Sequence, residues 1–293
     1  MLKYRLIAGT VMIALIVAVL LFDGHFAPFF PCLFLVTMLA GFVAAWELQA
    51  LLPSPWKPDR NSIIPGVLAI LAANWYEPVR RQLLPDGLPA FADPWQPVLL
   101  MLALVSMCAF LHEMYHRSAE RDRIPKIAFT LFAFVYLGLF PSFLLRLRWI
   151  DAAIDAEFGA WLLALVIFVP KVGDIGAYFT GRLIGRIPMA PNLSPKKTWE
   201  GFTGGMVAAA ATSVGINLAS GQVLFRYGGL EAVGFGLVVG CAGVLGDLAE
   251  SMLKRDCGVK DAARNIPGFG GWLDVVDSVL FAAPPAYVWL TRN

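Results

Sequence analysis

Between Gly246 and Ser278 the chain gathers acids, lysines and glycines between two long apolar runs. Asp247, Glu250, Ser251 and Lys254 recur at i, i+3, i+4 and i+7, so on a helix they share one face. Asp274 and Asp277 stand one helical turn apart at the start of the next apolar run. The segment between these groups holds Lys260, Asp261, Arg264 and a Pro-Gly-Phe-Gly-Gly turn, in which Gly270 and Gly271 would let backbone approach a ligand closely. Carboxylates from two helices beside lysines and arginines suit Mg2+ carrying phosphates, because Mg2+ takes a few carboxylates and completes its shell with phosphate oxygens. The bland alternative is a capped helix hairpin whose charges snorkel to an interface.

A second constellation lies upstream: Lys171, Asp174, Tyr178, Arg182 and Arg186, then the run from Asn192 to Gly201. Lys171 and Asp174 are one turn apart and can pair. Ser194 followed by Pro195 reads as an N-cap and a first helical residue. Lys196 and Lys197 would then oppose the positive end of the helix dipole, which is unfavourable unless an anion sits there. Thr198 adds a hydroxyl. Basic loops also arise simply as topology determinants, but that reading does not account for the neighbouring acids, glycines and Ser-Pro pair.

His112, Glu113 and His116 form H-E-x-x-H, the spacing of zinc proteases. A zinc site needs a third protein ligand, and the remaining histidine, His25, is predicted on the opposite side of the membrane. The pair therefore reads better as interfacial. There is no P-loop, no Gly-x-Gly-x-x-Gly after a strand, and no Asp-Gly-x-x-Ala-Arg start of enzymes that consume CDP-activated lipids.

These groups must be held by membrane helices. Hydrophobic residues make up 58% of the 293 and charged residues only 15%, against about 25% charged in a soluble domain. A net charge of +2 argues for no nucleic-acid partner. Cys32, Cys108, Cys241 and Cys257 have neither disulfide-framework nor zinc-ribbon spacing. A helix crosses about 30 Å of hydrocarbon with about 20 apolar residues. That length predicts an all-α, polytopic integral membrane helical bundle of about nine spans, near 6–22, 26–48, 62–76, 95–113, 127–145, 158–180, 200–220, 229–249 and 273–290. The third is short and closed by Asn74, Glu77, Arg80 and Arg81, so eight is the fallback. The first is read as a membrane helix rather than a cleaved leader.

With the N-terminus inside, most lysines and arginines fall on inner segments. The outer ones are Arg80, Arg81, Arg146, Arg148, Arg226 and Arg292. Both constellations then face the cytoplasm. The chain reads as one membrane domain over 1–293, with less informative N-terminal spans in 1–157 and the chemistry in 158–293.

The run from Ser251, Lys254 and Arg255 through Lys260, Asp261, Gly270 and Gly271 to Asp274 and Asp277 resembles the signature of phosphatidate cytidylyltransferases, the CDP-diacylglycerol synthases. Asp174, Tyr178, Gly181, Arg182 and Gly185, and the block from Leu193 to Gly201, look like that family's other marked segments. The likeness is strong over about 160–293. Two positions depart from the family pattern: Phe269 stands where His is usual, and Val275 where Arg is usual.

The resemblance implies transfer of a cytidylyl group from CTP to phosphatidic acid, giving CDP-diacylglycerol and pyrophosphate, in a bacterial inner membrane with the active site facing the cytoplasm. It assigns Asp247 and Asp274 to Mg2+, with Asp261 and Asp277 as further metal or supporting carboxylates. Lys196, Lys197, Lys254, Arg255 and Lys260 would neutralise phosphates. Ser194, Thr198 and Ser251 would donate hydrogen bonds, Gly270 and Gly271 would present backbone, and Asp174 and Tyr178 would shape the acceptor pocket. Whether K+ joins Mg2+, and whether the chain pairs as a homodimer, stay open at this point. Other classes are a non-catalytic relative that binds anionic lipid or nucleotide in a membrane assembly, a transporter built on Lys171 and Asp174, and the H-E-x-x-H protease.

Overall fold

The computed structural model describes residues 2–54, 56–83, 87, 89–115, 123–150, 156–259, 262–263 and 270–292. Eight helical segments among them are long and apolar enough to cross a membrane, and the protein is a polytopic helical membrane protein. The chain divides into two compact units, one of Met1–Leu145 with Ala262–Leu273, the other of Arg146–Asp261 with Asp274–Asn293.

The first unit runs α1 (Leu2–Phe22), α2 (Pro31–Leu51), α3 (Arg60–Ala72), α4 (Tyr76–Leu83), α5 (Gln96–Tyr115), α6 (Arg123–Ala133) and α7 (Phe140–Arg146), whose last residue belongs to the other unit. Helix α2 begins at a proline, and the buried Asp23 carboxylate accepts the N–H groups of Cys32 and Leu33, both at 2.9 Å. These are among the first-turn donors that a helix cannot satisfy itself. Asp59 caps α3 by accepting Asn61 N–H at 3.1 Å. Ala45, Leu48, Ile63, Val67, Ile70 and Phe134 are buried in this unit. The predicted third span resolves into α3, a 3-10 turn over Ala73–Trp75, and α4. It falls outside the eight because Asn74, Glu77, Arg80 and Arg81 dilute its apolar run.

The second unit carries α8 (Ala156–Ile184), a hairpin of β1 (Pro188–Ala190) and β2 (Ser194–Thr198), α9 (Trp199–Ser220), α10 (Gly229–Asp256) and α11 (Leu273–Thr291), whose first residue belongs to the other unit. The strands pair antiparallel, Pro188 with Thr198 and Ala190 with Ser194. Helices α8, α9 and α10 meet through small residues, as membrane helices do when their backbones must approach. A Cβ on Gly205 would come 2.9 Å from Gly173 O, and one on Gly236 2.6 Å from Ala210 Cα. Gly246 is equally bare because the backbone carbonyl of Asp277 lies against it, which packs α11 on α10.

The hairpin corrects one expectation. Ser194 and Pro195 do not open a helix; they lie on β2, and Lys196 and Lys197 with them. The N-cap of α9 is Thr198, whose Oγ1 accepts Gly201 N–H at 3.1 Å. Pairing with Pro188–Ala190 extends the chain through Ser194, so the local Ser-Pro signal loses to tertiary hydrogen bonding. Trp199 N–H donates to Ile187 O at 3.0 Å and Glu200 accepts Arg186 N–H at 3.1 Å, which tie the hairpin to the start of α9.

Candidate active site

Helix α10 extends to Asp256, so Asp247, Glu250, Ser251 and Lys254 share one face of a single helix, as their spacing requires. Their partners come from β2 and α11, and a further ion-pair set joins α8 to α11. Lys197, on β2, places Nζ 2.7 Å from Asp247 Oδ2. Lys171, on α8, lies 3.3 Å from Asp277 Oδ1 and 3.7 Å from Asp174 Oδ2. Lys254 touches Glu250 and donates to Asp274 Oδ1 at 2.5 Å. Ser251 Oγ stands 3.5 Å from Asp247 Oδ1.

The carboxylates that converge are those of Asp247, Glu250 and Asp277, one oxygen from each lying within 4.8 Å of the others. Glu250 is 1% exposed and Asp277 5%. Burying two acids beside a third, half-buried one is expensive unless cations or a metal compensate. Glu250 Oε1 is buried with no hydrogen-bond partner, so this carboxylate keeps an acceptor to spare. An all-oxygen donor set of this kind fits a hard divalent cation such as Mg2+. Asp274, expected to join Asp247, lies against Lys254, which also touches Glu250. Glu250 stands on the face its spacing predicts, and the sequence reading gave it no metal role.

Beside this group a cavity of about 470 Å3 is lined by Asp174, Tyr178, Arg182, Lys196, Lys197, Thr198 and Asp247, among others. Six of these carry a role in the sequence reading; Arg182 stands in its upstream constellation without one. Arg182 donates to the Tyr178 hydroxyl at 2.9 Å. The cavity lining therefore carries lysine and arginine together with carboxylate, suited to a ligand that is itself polyanionic and metal-bound.

Other candidates fall elsewhere. Ser194 pairs with Ala190 on the hairpin. The Arg255 guanidinium stands 3.5 Å from Leu193 O and 3.4 Å from Val259 O, bridging α10 to the hairpin loop. Gly270 has φ 102°, a conformation glycine adopts freely. Gly271 makes room for Glu47: a Cβ there would sit 2.6 Å from Glu47 Oε2. Lys260, Asp261 and Phe269 lie outside the described residues, as does His116. His112 Nε2 lies 3.2 Å from Asp59 Oδ2, a contact that ties α5 to the start of α3.

Residues 3–292 match the model of the cytidylyltransferase family. The chain belongs to that family. A phosphatidate cytidylyltransferase of Haemophilus influenzae is 33% identical over 292 residues, covering 97% of this chain and 96% of the relative. One from Staphylococcus aureus is 32% identical over 206 residues, 70% of this chain and 75% of its own. Another, from Mycobacterium bovis, is 37% identical over 166 residues, 56% of this chain and 51% of its own. The family match spans both constellations, which makes them parts of one cytidylyltransferase scaffold.

Proposed function

We propose that the protein transfers a cytidylyl group from CTP to phosphatidic acid, giving CDP-diacylglycerol and pyrophosphate, at a Mg2+-dependent site facing the cytoplasm of a bacterial inner membrane. The observation that carries this reading is the cavity whose wall contains Lys196, Lys197 and Asp247 beside the converging carboxylates. Relatives named phosphatidate cytidylyltransferase support the choice of substrates.

A phosphate oxygen of phosphatidic acid attacks the α-phosphorus of CTP. The new P–O bond forms as the bond from that phosphorus to the α,β-bridging oxygen breaks, and pyrophosphate leaves with its electrons. The nucleophile is already an anion, so no strong base is needed. Bringing two polyanions together is the main obstacle, and positioned cations overcome it.

Asp247, Glu250 and Asp277 would hold Mg2+, which when bound would neutralise charge on the nucleotide phosphates. Lys196 and Lys197 face the same cavity and would bind phosphate oxygens. Asp174, Tyr178 and Arg182 would shape its wall, and Thr198 holds the start of α9 in place. Lys254, between Glu250 and Asp274, orients the carboxylate face of α10. Asp274 would act through that pair, and Lys260 and Asp261 remain candidates from the sequence.

Purified protein supplied with Mg2+, labelled CTP and phosphatidic acid should form a CDP-lipid and pyrophosphate in equal amounts. A folded protein that makes no CDP-lipid from phosphatidic acid, at any Mg2+ concentration, would overturn the assignment.

A further inference from the structure

Glu47 is an acid inside the apolar helix α2, 1% exposed, and no step above uses it. Its Oε2 accepts the N–H of Leu273, the first residue of α11, at 2.9 Å. The same oxygen occupies the space that a side chain at Gly271 would fill, 2.6 Å from where the Cβ would be. The early N–H groups of a helix have no partner inside it, and a carboxylate there also meets the positive end of the helix dipole. Asp274 is the second residue of α11 and Asp277 the fifth.

We propose that Glu47 is a positioning residue for the metal site: by fixing the first turn of α11 it sets where the Asp277 carboxylate stands. The proposal rests on the reading that Asp277 holds a divalent cation with Asp247 and Glu250. Gly271 is the counterpart of Glu47, its lack of a side chain being the condition for the carboxylate to reach Leu273. Both Glu47 and Gly271 act before any nucleotide binds.

The test uses the full-length protein in detergent, with Mn2+ as the probe and no nucleotide present. Glu47→Ala should weaken Mn2+ binding about 10–100-fold, the usual cost of removing a group that orients a metal ligand. It should also speed hydrogen exchange of the amides in 273–278 and raise the Mg2+ needed for half-maximal turnover more than it lowers the rate at saturating Mg2+. Glu47→Gln keeps an acceptor oxygen and should recover most of the affinity. Gly271→Ala drives a Cβ onto the carboxylate without removing it and should reproduce the defect, which keeps the proposal testable if Glu47→Ala does not fold.

Wild-type Mn2+ affinity and exchange in both Glu47→Ala and Gly271→Ala would overturn the role given to Glu47. Asp277→Asn separates the two readings. Unchanged Mn2+ binding in Asp277→Asn refutes the metal assignment itself, whereas its loss there with none in Glu47→Ala refutes only the positioning role.

Discussion

Lys197 Nζ lies 2.7 Å from Asp247 Oδ2, joining the β-hairpin before α9 to the acidic face of α10. Both residues line the same cavity. The contact places a cation that can serve phosphate beside a carboxylate that can serve a metal, so in the proposed reaction the two halves of a metal–nucleotide complex would have adjacent seats.

Lys197 should therefore contribute to nucleotide binding more than to folding. Lys197→Ala removes a charge-assisted hydrogen bond worth about 1.5–3 kcal/mol, so kcat/KM for CTP should fall roughly 10–150-fold. Lys197→Arg, which keeps the charge with a different shape, should recover part of it. Initial-rate kinetics across CTP concentrations check this, and an unchanged kcat/KM in Lys197→Ala would remove the residue from the site.

The capping assignment separates two hydroxyl residues four positions apart. Thr198→Ala should destabilise the protein by about 1 kcal/mol through loss of the α9 N-cap, while Thr198→Ser should not. Ser194→Ala, on the hairpin, should stay within about 0.5 kcal/mol of wild type. Denaturation midpoints in a single detergent measure all three. The opposite ranking would restore Ser194 as the cap.

Glu77 offers a pH-dependent test outside the eight spans. Burial pushes its carboxyl up, but hydrogen bonds from Arg80 and Arg81, both at 3.1 Å, prevail and hold it below the ordinary glutamate value. The unfolded chain then takes up this proton more readily than the folded one. The stabilisation is present above the unfolded value of about 4.3 and is lost as pH falls through the lower folded value. Thermal midpoints between neutral and acidic pH should drop less steeply in Glu77→Gln than in wild type, from a lower starting point.

Much of this was readable in the sequence because a bilayer enforces simple rules. Apolar length located the eight helices to within a few residues, apart from α2, whose start lies later, and α8 and α10, which run further at their C-terminal ends. The i, i+3, i+4, i+7 spacing put Asp247, Glu250, Ser251 and Lys254 on one face, and the structure has them there.

What escaped depends on how helices meet. Whether Asp274 or Asp277 comes beside Asp247 depends on the rotation of α11 against α10, where the Asp277 carbonyl lies against the bare Gly246. No periodicity within α11 records that. The Ser194-Pro195 pair carried a valid local cap signal, but strand pairing with Pro188–Ala190 overrode it. Glu47 was visible throughout as an acid in an apolar span, the kind of residue that marks a site in a membrane protein. Only its bond to Leu273, more than two hundred residues away, shows what it touches.

The most direct test of the account is the position of the metal. Crystals grown with Mn2+ and a nucleotide should give an anomalous-difference peak among the carboxylates of Asp247, Glu250 and Asp277, at the edge of the cavity lined by Lys197. A peak bound through Asp274 and distant from Glu250 and Asp277 would contradict it.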